Sequence, residues 1–140
     1  MKLKILTGLL IAAATSFVFT AFQSQENGQV YFIRSTNSVG SMVAYKVYID
    51  DILVCNLKNK RYSSHSIAAG EHTVSVRNTG ISSHTKSRPL KINVAADKNN
   101  YLIVVNGPNI YLQESVESSA QELLKKVAAT KECLPSKKKK

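Results

Sequence analysis

Two cysteines and three histidines are the side chains of this 140-residue chain best suited to redox, metal or acid–base chemistry. His65 and His72 flank the segment 68–71. A hairpin there would set them on adjacent strands, His65 in phase with Ile67 and His72 in phase with Val74 and Val76. A metal centre takes three or four converging ligands, and no third His, Cys or carboxylate stands at a matching spacing. Structural histidines whose ring nitrogens tie down turn backbone are therefore the simpler reading, with a His65–His72 metal or haem carrier as the alternative. His84 falls in a polar loop. Cys55 alternates in phase with Leu53 and Leu57, which suits a buried free thiol. The alternative, permitted in an oxidising compartment, is a disulfide with Cys133, closing a loop of roughly 80 residues.

Catalysis finds little to work with. Carboxylates are few and sit in turns or in the C-terminal helical stretch, and none forms an obvious acid–base pair. Serines cluster in polar loops such as Ser63-Ser64 and Ser82-Ser83, without a G-x-S-x-G elbow, and no glycine-rich phosphate loop occurs. The expectation is a non-enzymatic protein without metal or cofactor. Surface contact has better candidates: Tyr48, Tyr62 and Tyr111 project outward by phase and could meet sugars or partner proteins. Lys137, Lys138, Lys139 and Lys140 form a basic tail. Four lysines near an anionic surface contribute about 4 kcal/mol, a dissociation constant of about 1 mM, which supplements binding without supplying it alone.

The formal net charge of +10 is unevenly spread, with four charges in that tail and two, Lys2 and Lys4, at the start. The body between them is only mildly basic, which argues against a nucleic-acid partner. Lys2 and Lys4 precede an apolar run, Ile5 to Phe22, that gives way to the polar QSQENGQ. A charged start, apolar middle and polar exit make an export signal. Phe19 and Phe22 occupy positions where a cleavage site carries small residues, so an uncleaved anchor stands beside cleavage as an alternative. No cysteine lies near the end of the run to accept a lipid.

What remains, roughly 115 residues, suffices for one domain with one core. Val30 to Arg34 is dense in β-branched and aromatic residues and predicts a first strand, followed by a loop around Gly40. Tyr45, Val47 and Ile49 alternate with Lys46, Tyr48 and Asp50. Turn residues at Asp50-Asp51, Lys58-Asn59-Lys60 and Ala69-Gly70-Glu71 punctuate the strands that follow. Leu90 to Val94, Tyr101 to Val105 and Ile110 to Gln113 continue the pattern, and the nearly unbroken apolar run at Tyr101 suits a mid-sheet strand. From Ser118 the period changes: SSAQELLKKVAAT predicts a helix with Ser119 and Glu122 as a capping box, and Ala120, Leu123, Leu124 and Val127 as a stripe seeking a sandwich flank. The expected organisation is a signal or anchor helix over 1–23, a β-sandwich over 28–115, a helix over 116–134 and a basic tail over 135–140. The fold class is mainly β: an antiparallel sandwich of about seven short strands with one C-terminal helix.

The string YFIRSTNSVGSMVAYKVYIDDILVCNLKNKRYSSHSIAAGEHTVSV resembles the bacterial family known as domain of unknown function 2846. The matching elements are the strand ending in Arg34, the loop Val39-Gly40-Ser41, YKVYID with Asp50 at its turn, Leu57-Lys58-Asn59, Tyr62, and Gly70-Glu71-His72-Thr73-Val74. The layout is more loosely similar to PEGA-type extracellular β-sandwiches. Asp51 and Lys60 stand where such families favour Gly, and Ala69 where they favour Pro. The resemblance implies fold and envelope location, with Arg34, Gly40, Asp50, Gly70 and His72 as structural motif residues. It implies no catalytic residue.

The functional expectation is an exported periplasmic or envelope module with a non-catalytic binding or structural role. Its partner would be an envelope protein or an anionic surface polymer, and membrane contact would come only through an uncleaved N-terminus or the basic tail. The alternative is a carbohydrate or peptidoglycan binder that uses the tyrosines and the tail.

Overall fold

The computed structural model describes residues 26–36, 42–80, 86–131 and 133. The export segment 1–23, Gly40, His84 and the lysine tail 137–140 lie outside the described residues. Eight strands follow in order: β1 (Asn27–Arg34), β2 (Tyr45–Ile49), β3 (Ile52–Leu57), β4 (Arg61–Ala68), β5 (Gly70–Asn78), β6 (Leu90–Val94), β7 (Asn99–Asn106) and β8 (Ile110–Ser115). A short helix, α1 (Glu117–Leu124), and a two-residue strand, β9 (Ala128–Ala129), complete the elements among the described residues.

The strands form two sheets, one of five strands in the order β8-β7-β1-β4-β9 and one of four in the order β3-β2-β5-β6. Alternation decides what lies between them. Val30 and Phe32, Tyr45, Val47 and Ile49, Val74 and Val76, Ile92 and Val94, Leu102 and Val104 point inward and pack as one core with Cys55, Leu57 and Leu112. β7 lies between β8 and β1, as its apolar sequence predicts.

Pairing is mixed rather than wholly antiparallel: β1 runs parallel to β7, with Tyr31 opposite Tyr101, and β9 runs parallel to β4. A parallel neighbour requires the chain to return by a crossover, and between β1 and β7 it does so through the other sheet. Antiparallel expectation fails here because an inward–outward alternation is the same for both pairings.

Two of the expected turns join strands in different sheets. The β2–β3 connection is a true hairpin in which Ile49 faces Ile52 across Asp50-Asp51. Both aspartates have positive φ, 49° and 62°, as the tight primed turns of hairpins require. Lys60 is also left-handed, at φ 53°. These values explain why glycine suits positions 51 and 60: a side chain there adds steric cost without changing the path. The chain crosses between sheets after Leu57 and again at Ala69-Gly70, where Gly70 has φ 131°. A Cβ on Gly70 would meet nothing within 4 Å, so backbone conformation, not space, is what demands glycine.

The helix is shorter than the 116–134 expectation. It starts after Val116 without a side-chain cap, so the Ser119–Glu122 capping box does not form. Its stripe packs on the outer face of the five-stranded sheet: Ala120, Leu123, Leu124 and Val127 meet Tyr31, Ile33, Tyr62 and Tyr101. Beyond it the chain becomes β9 because the edge of β4 offers free backbone groups: Ala128 N–H donates to Lys60 O at 3.1 Å and Thr130 N–H to Tyr62 O at 2.8 Å. Among the described residues no helix is long and apolar enough to cross a membrane.

Candidate functional site

The chemistry-bearing side chains gather along one open side of the sandwich. There β3 is the outermost strand of its sheet, and β4 is covered only by two-residue β9. The segment after β9 runs across this seam, and Cys133 makes a backbone bridge to Cys55 on β3 while their sulfurs are bonded as a disulfide. The stretch that carries β9 and Cys133 is thereby tied to both sheets. The simpler reading of Cys55 as a free thiol is overturned: it is buried as its phase predicts, but bonded to Cys133. Its phase with Leu57 reports burial, and burial says nothing about whether a second sulfur arrives from position 133.

A groove of about 460 Å³ opens along β3 and β4, lined in part by Asp50, Val54, His65, Ile67 and His72. Both histidines reach it from different sheets, because β4 and β5 do not pair with each other. The hairpin expected between them is an arch.

His72 is fully engaged. Its Nδ1–H donates to Asp50 Oδ2 at 2.7 Å, and its Nε2–H donates to the Ala68 carbonyl at 2.7 Å. Both partners are acceptors, so only the doubly protonated ring satisfies them together. The hydrogen bond to Asp50 raises the imidazole pKa above its ordinary value; partial burial opposes it, and the Ala68 carbonyl and the aspartate charge add to it. For Asp50, burial pushes upward, but the Thr73 amide and His72 outweigh it and hold the carboxyl below the usual range. Asp50 Oδ1 accepts from Thr73 N–H at 2.9 Å, and Asp50 N–H donates to Thr73 O at 2.7 Å. One carboxylate thus joins the β2–β3 hairpin tip to β5 and the arch. Asp50 reads in the sequence only as a turn residue; no local spacing points to position 72.

His65 is placed quite differently. Its ring meets Phe32 edge-on with centroids 5.8 Å apart, and its Nε2 is buried without a hydrogen-bond partner among the described residues. Burial lowers its pKa and favours the neutral ring. One of its nitrogens and the sulfurs of Cys55 and Cys133 lie within 4.8 Å of one another. This is the only trio of potential metal ligands among the described residues, and His72 is not part of it. Sequence separations of 10 and 68 between these positions carry no motif that would reveal it.

Arg34 and Asn59 brace the opposite ends of the strands. Arg34 is wholly buried; its guanidinium lies 3.6 Å over the Tyr45 ring and donates from Nη1 to Val43 O at 2.6 Å and Leu57 O at 2.9 Å. Desolvation lowers its pKa, against an opposing contribution from Tyr45, from a value so high that the charge remains. A cation at the end of β1 therefore clamps one sheet to the other. The Asn59 amide accepts from Thr36 N–H at 2.9 Å and donates to Thr36 O at 2.8 Å, which fixes the β3–β4 crossing to the end of β1.

The tyrosines named from phase do not share a surface. Tyr48 lies on the outer side of the four-stranded sheet with Lys86 Nζ 4.1 Å over its ring. Tyr62 is half-buried on the outer face of the other sheet, 6.3 Å from Tyr31 between ring centres. Tyr111, also on that sheet but on edge strand β8, is exposed and lines a separate cleft of about 730 Å³ with Arg88, Asn78, Asn106 and Asn109.

Residues 24–122 match the family described as protein of unknown function (DUF2846). The chain belongs to this family. The match takes in every strand from β1 to β8 and most of α1, and stops short of β9 and Cys133, so the disulfide joins the family core to a segment beyond it. No curated protein and no solved structure matches the chain significantly.

Proposed function

We propose that this protein is an exported envelope module, held together by its disulfide, that acts by contact rather than by catalysis. The observation that carries the reading is the Cys55–Cys133 bond across the open seam. Disulfides form and persist in oxidising compartments such as the periplasm, and the charged, apolar and polar succession at the N-terminus is that of a chain sent there.

The chemistry of the seam supports a non-catalytic role. A His–Asp pair resembles half of a catalytic relay, but His72 has its second nitrogen on the Ala68 carbonyl and cannot accept a proton from a nucleophile. The two sulfurs that could serve as nucleophiles are bonded to each other. Burial is spent on cohesion: Arg34, Asn59 and Asp50 join strands and turns instead of presenting groups to a substrate. The partner is an envelope protein or anionic surface polymer.

Cell fractionation with intact-mass measurement tests the reading. The expected species is in the envelope fraction and weighs two hydrogens less than the same chain after reduction. Full-length protein in the cytosolic fraction with two alkylatable thiols would overturn it.

A further inference from the structure

We infer that the Cys55–Cys133 staple is one state of a two-state site: on reduction, Cys55, Cys133 and His65 bind a thiophilic d10 cation such as Zn2+. This goes beyond the module's structural role and does not depend on where the protein resides.

Three placements lead there. The ligand atoms already lie within 4.8 Å of one another. Around one zinc ion, with Zn–S about 2.3 Å and Zn–N about 2.0 Å, such atoms stand roughly 3.5 to 4 Å apart, so the sulfurs need to part by less than about 2 Å from bonding distance. The second placement is His65 itself. Its Nε2 is buried without a hydrogen-bond partner among the described residues, which costs stability, and a nitrogen of the same ring lies within 4.8 Å of both sulfurs. Coordination through Nε2 would satisfy that atom. The third is freedom to adjust: Cys55 is buried on β3, whereas Cys133 is held to it by a single backbone bridge and follows a strand paired to β4 at only two residue pairs, so its shift need not break the main sheets. Two sulfurs and one imidazole make an incomplete tetrahedron of the kind that keeps a fourth position for water, and His65 also lines the groove.

The chemistry balances. A dithiol reductant delivers two electrons and two protons to the Cys55–Cys133 bond and itself becomes a disulfide, leaving two thiols. As the cation binds, both thiol protons pass to solvent and two sulfur–metal bonds form.

The test uses the full chain, oxidised or reduced with a phosphine, and Zn2+ alone as the probe. After gel filtration the reduced protein is expected to retain one zinc per chain and the oxidised protein none. In the reduced state, His65→Ala and His65→Gln should each weaken zinc binding at least tenfold, while circular dichroism of their oxidised forms confirms that both fold. If the reduced chain unfolds without metal, zinc restores its spectrum. Equal zinc retention by oxidised and reduced chains would overturn the inference, as would zinc affinity unchanged in both His65 variants. A reduced chain that neither binds zinc nor refolds with it would do the same.

Discussion

Replacing both cysteines, Cys55→Ala with Cys133→Ala, should cost this domain about 5 kcal/mol of stability. The bond joins residues 78 positions apart. Closing a loop of that length removes denatured-state entropy worth about 4.5 kcal/mol at 25 °C in the chain-entropy treatment. Shrinking the fully buried Cys55 adds a small cavity, at roughly 0.5 to 1 kcal/mol. Against a typical domain stability of about 5 to 15 kcal/mol, that is between about a third and the whole of the margin. The assay is urea unfolding followed by circular dichroism and tyrosine fluorescence, since the chain has no tryptophan. With a slope of about 2 kcal/mol per molar urea, the midpoint should fall by roughly 2 to 3 M. Hydrogen exchange locates the first loss: the amides of Ala128 and Thr130, bonded to Lys60 and Tyr62, should lose protection before those of β1 and β7. A destabilisation below about 1 kcal/mol would refute the loop-entropy argument, and unchanged protection at Ala128 and Thr130 would show that the terminal segment is held by something other than the bond.

The Asp50–His72 pair sets opposite pH limits. Because the folded pKa of His72 is raised, its contribution is complete below the ordinary imidazole value of about 6.5 and is lost as pH rises through the higher folded value. Asp50 is depressed, so its contribution is present above about 3.9 and is lost as pH falls through the lower folded value. With the Asp50 side chain 48% exposed, each limb should be below about 1 kcal/mol. NMR titration should find His72 above 6.5 and returning toward it in Asp50→Asn; an unshifted His72 in the parent protein would contradict the pairing. Arg34→Met should cost about 2 to 4 kcal/mol in urea unfolding, because the Val43 and Leu57 carbonyls lose their donor inside the core. Arg34→Lys should recover only part of this, since an ammonium cannot lie flat on Tyr45 while reaching both carbonyls, and full recovery would show that charge alone matters.

Much of the fold was legible along the chain. The period-two pattern at Tyr45, Val47 and Ile49, at Val74 and Val76, and at Leu102 and Val104 assigns the inward face of each strand, and those side chains are the core. Turn positions were equally plain: Asp50-Asp51, Lys60 and Gly70 all sit where the backbone takes positive φ. Less of the site could be seen. His65 and His72 look like hairpin partners by spacing, yet belong to different sheets. Alternation records whether a side chain faces the core and is blind to which sheet its strand joins. The helix stripe at Ala120 was readable, but its early end at Leu124 depends on the β4 edge waiting to pair with Ala128.

By itself, then, the order of residues determined local matters: strand faces, turn positions and the apolar stripe of the helix, each governed by side chains within a few positions of one another. Tertiary structure alone decided that β1 lies parallel to β7, that Asp50 meets His72, and that a sulfur from beyond the family core reaches Cys55 beside His65. Those contacts join residues 10 to 78 positions apart. Their energies arise only once two sheets have brought distant backbone together, so no short window of the chain can contain them.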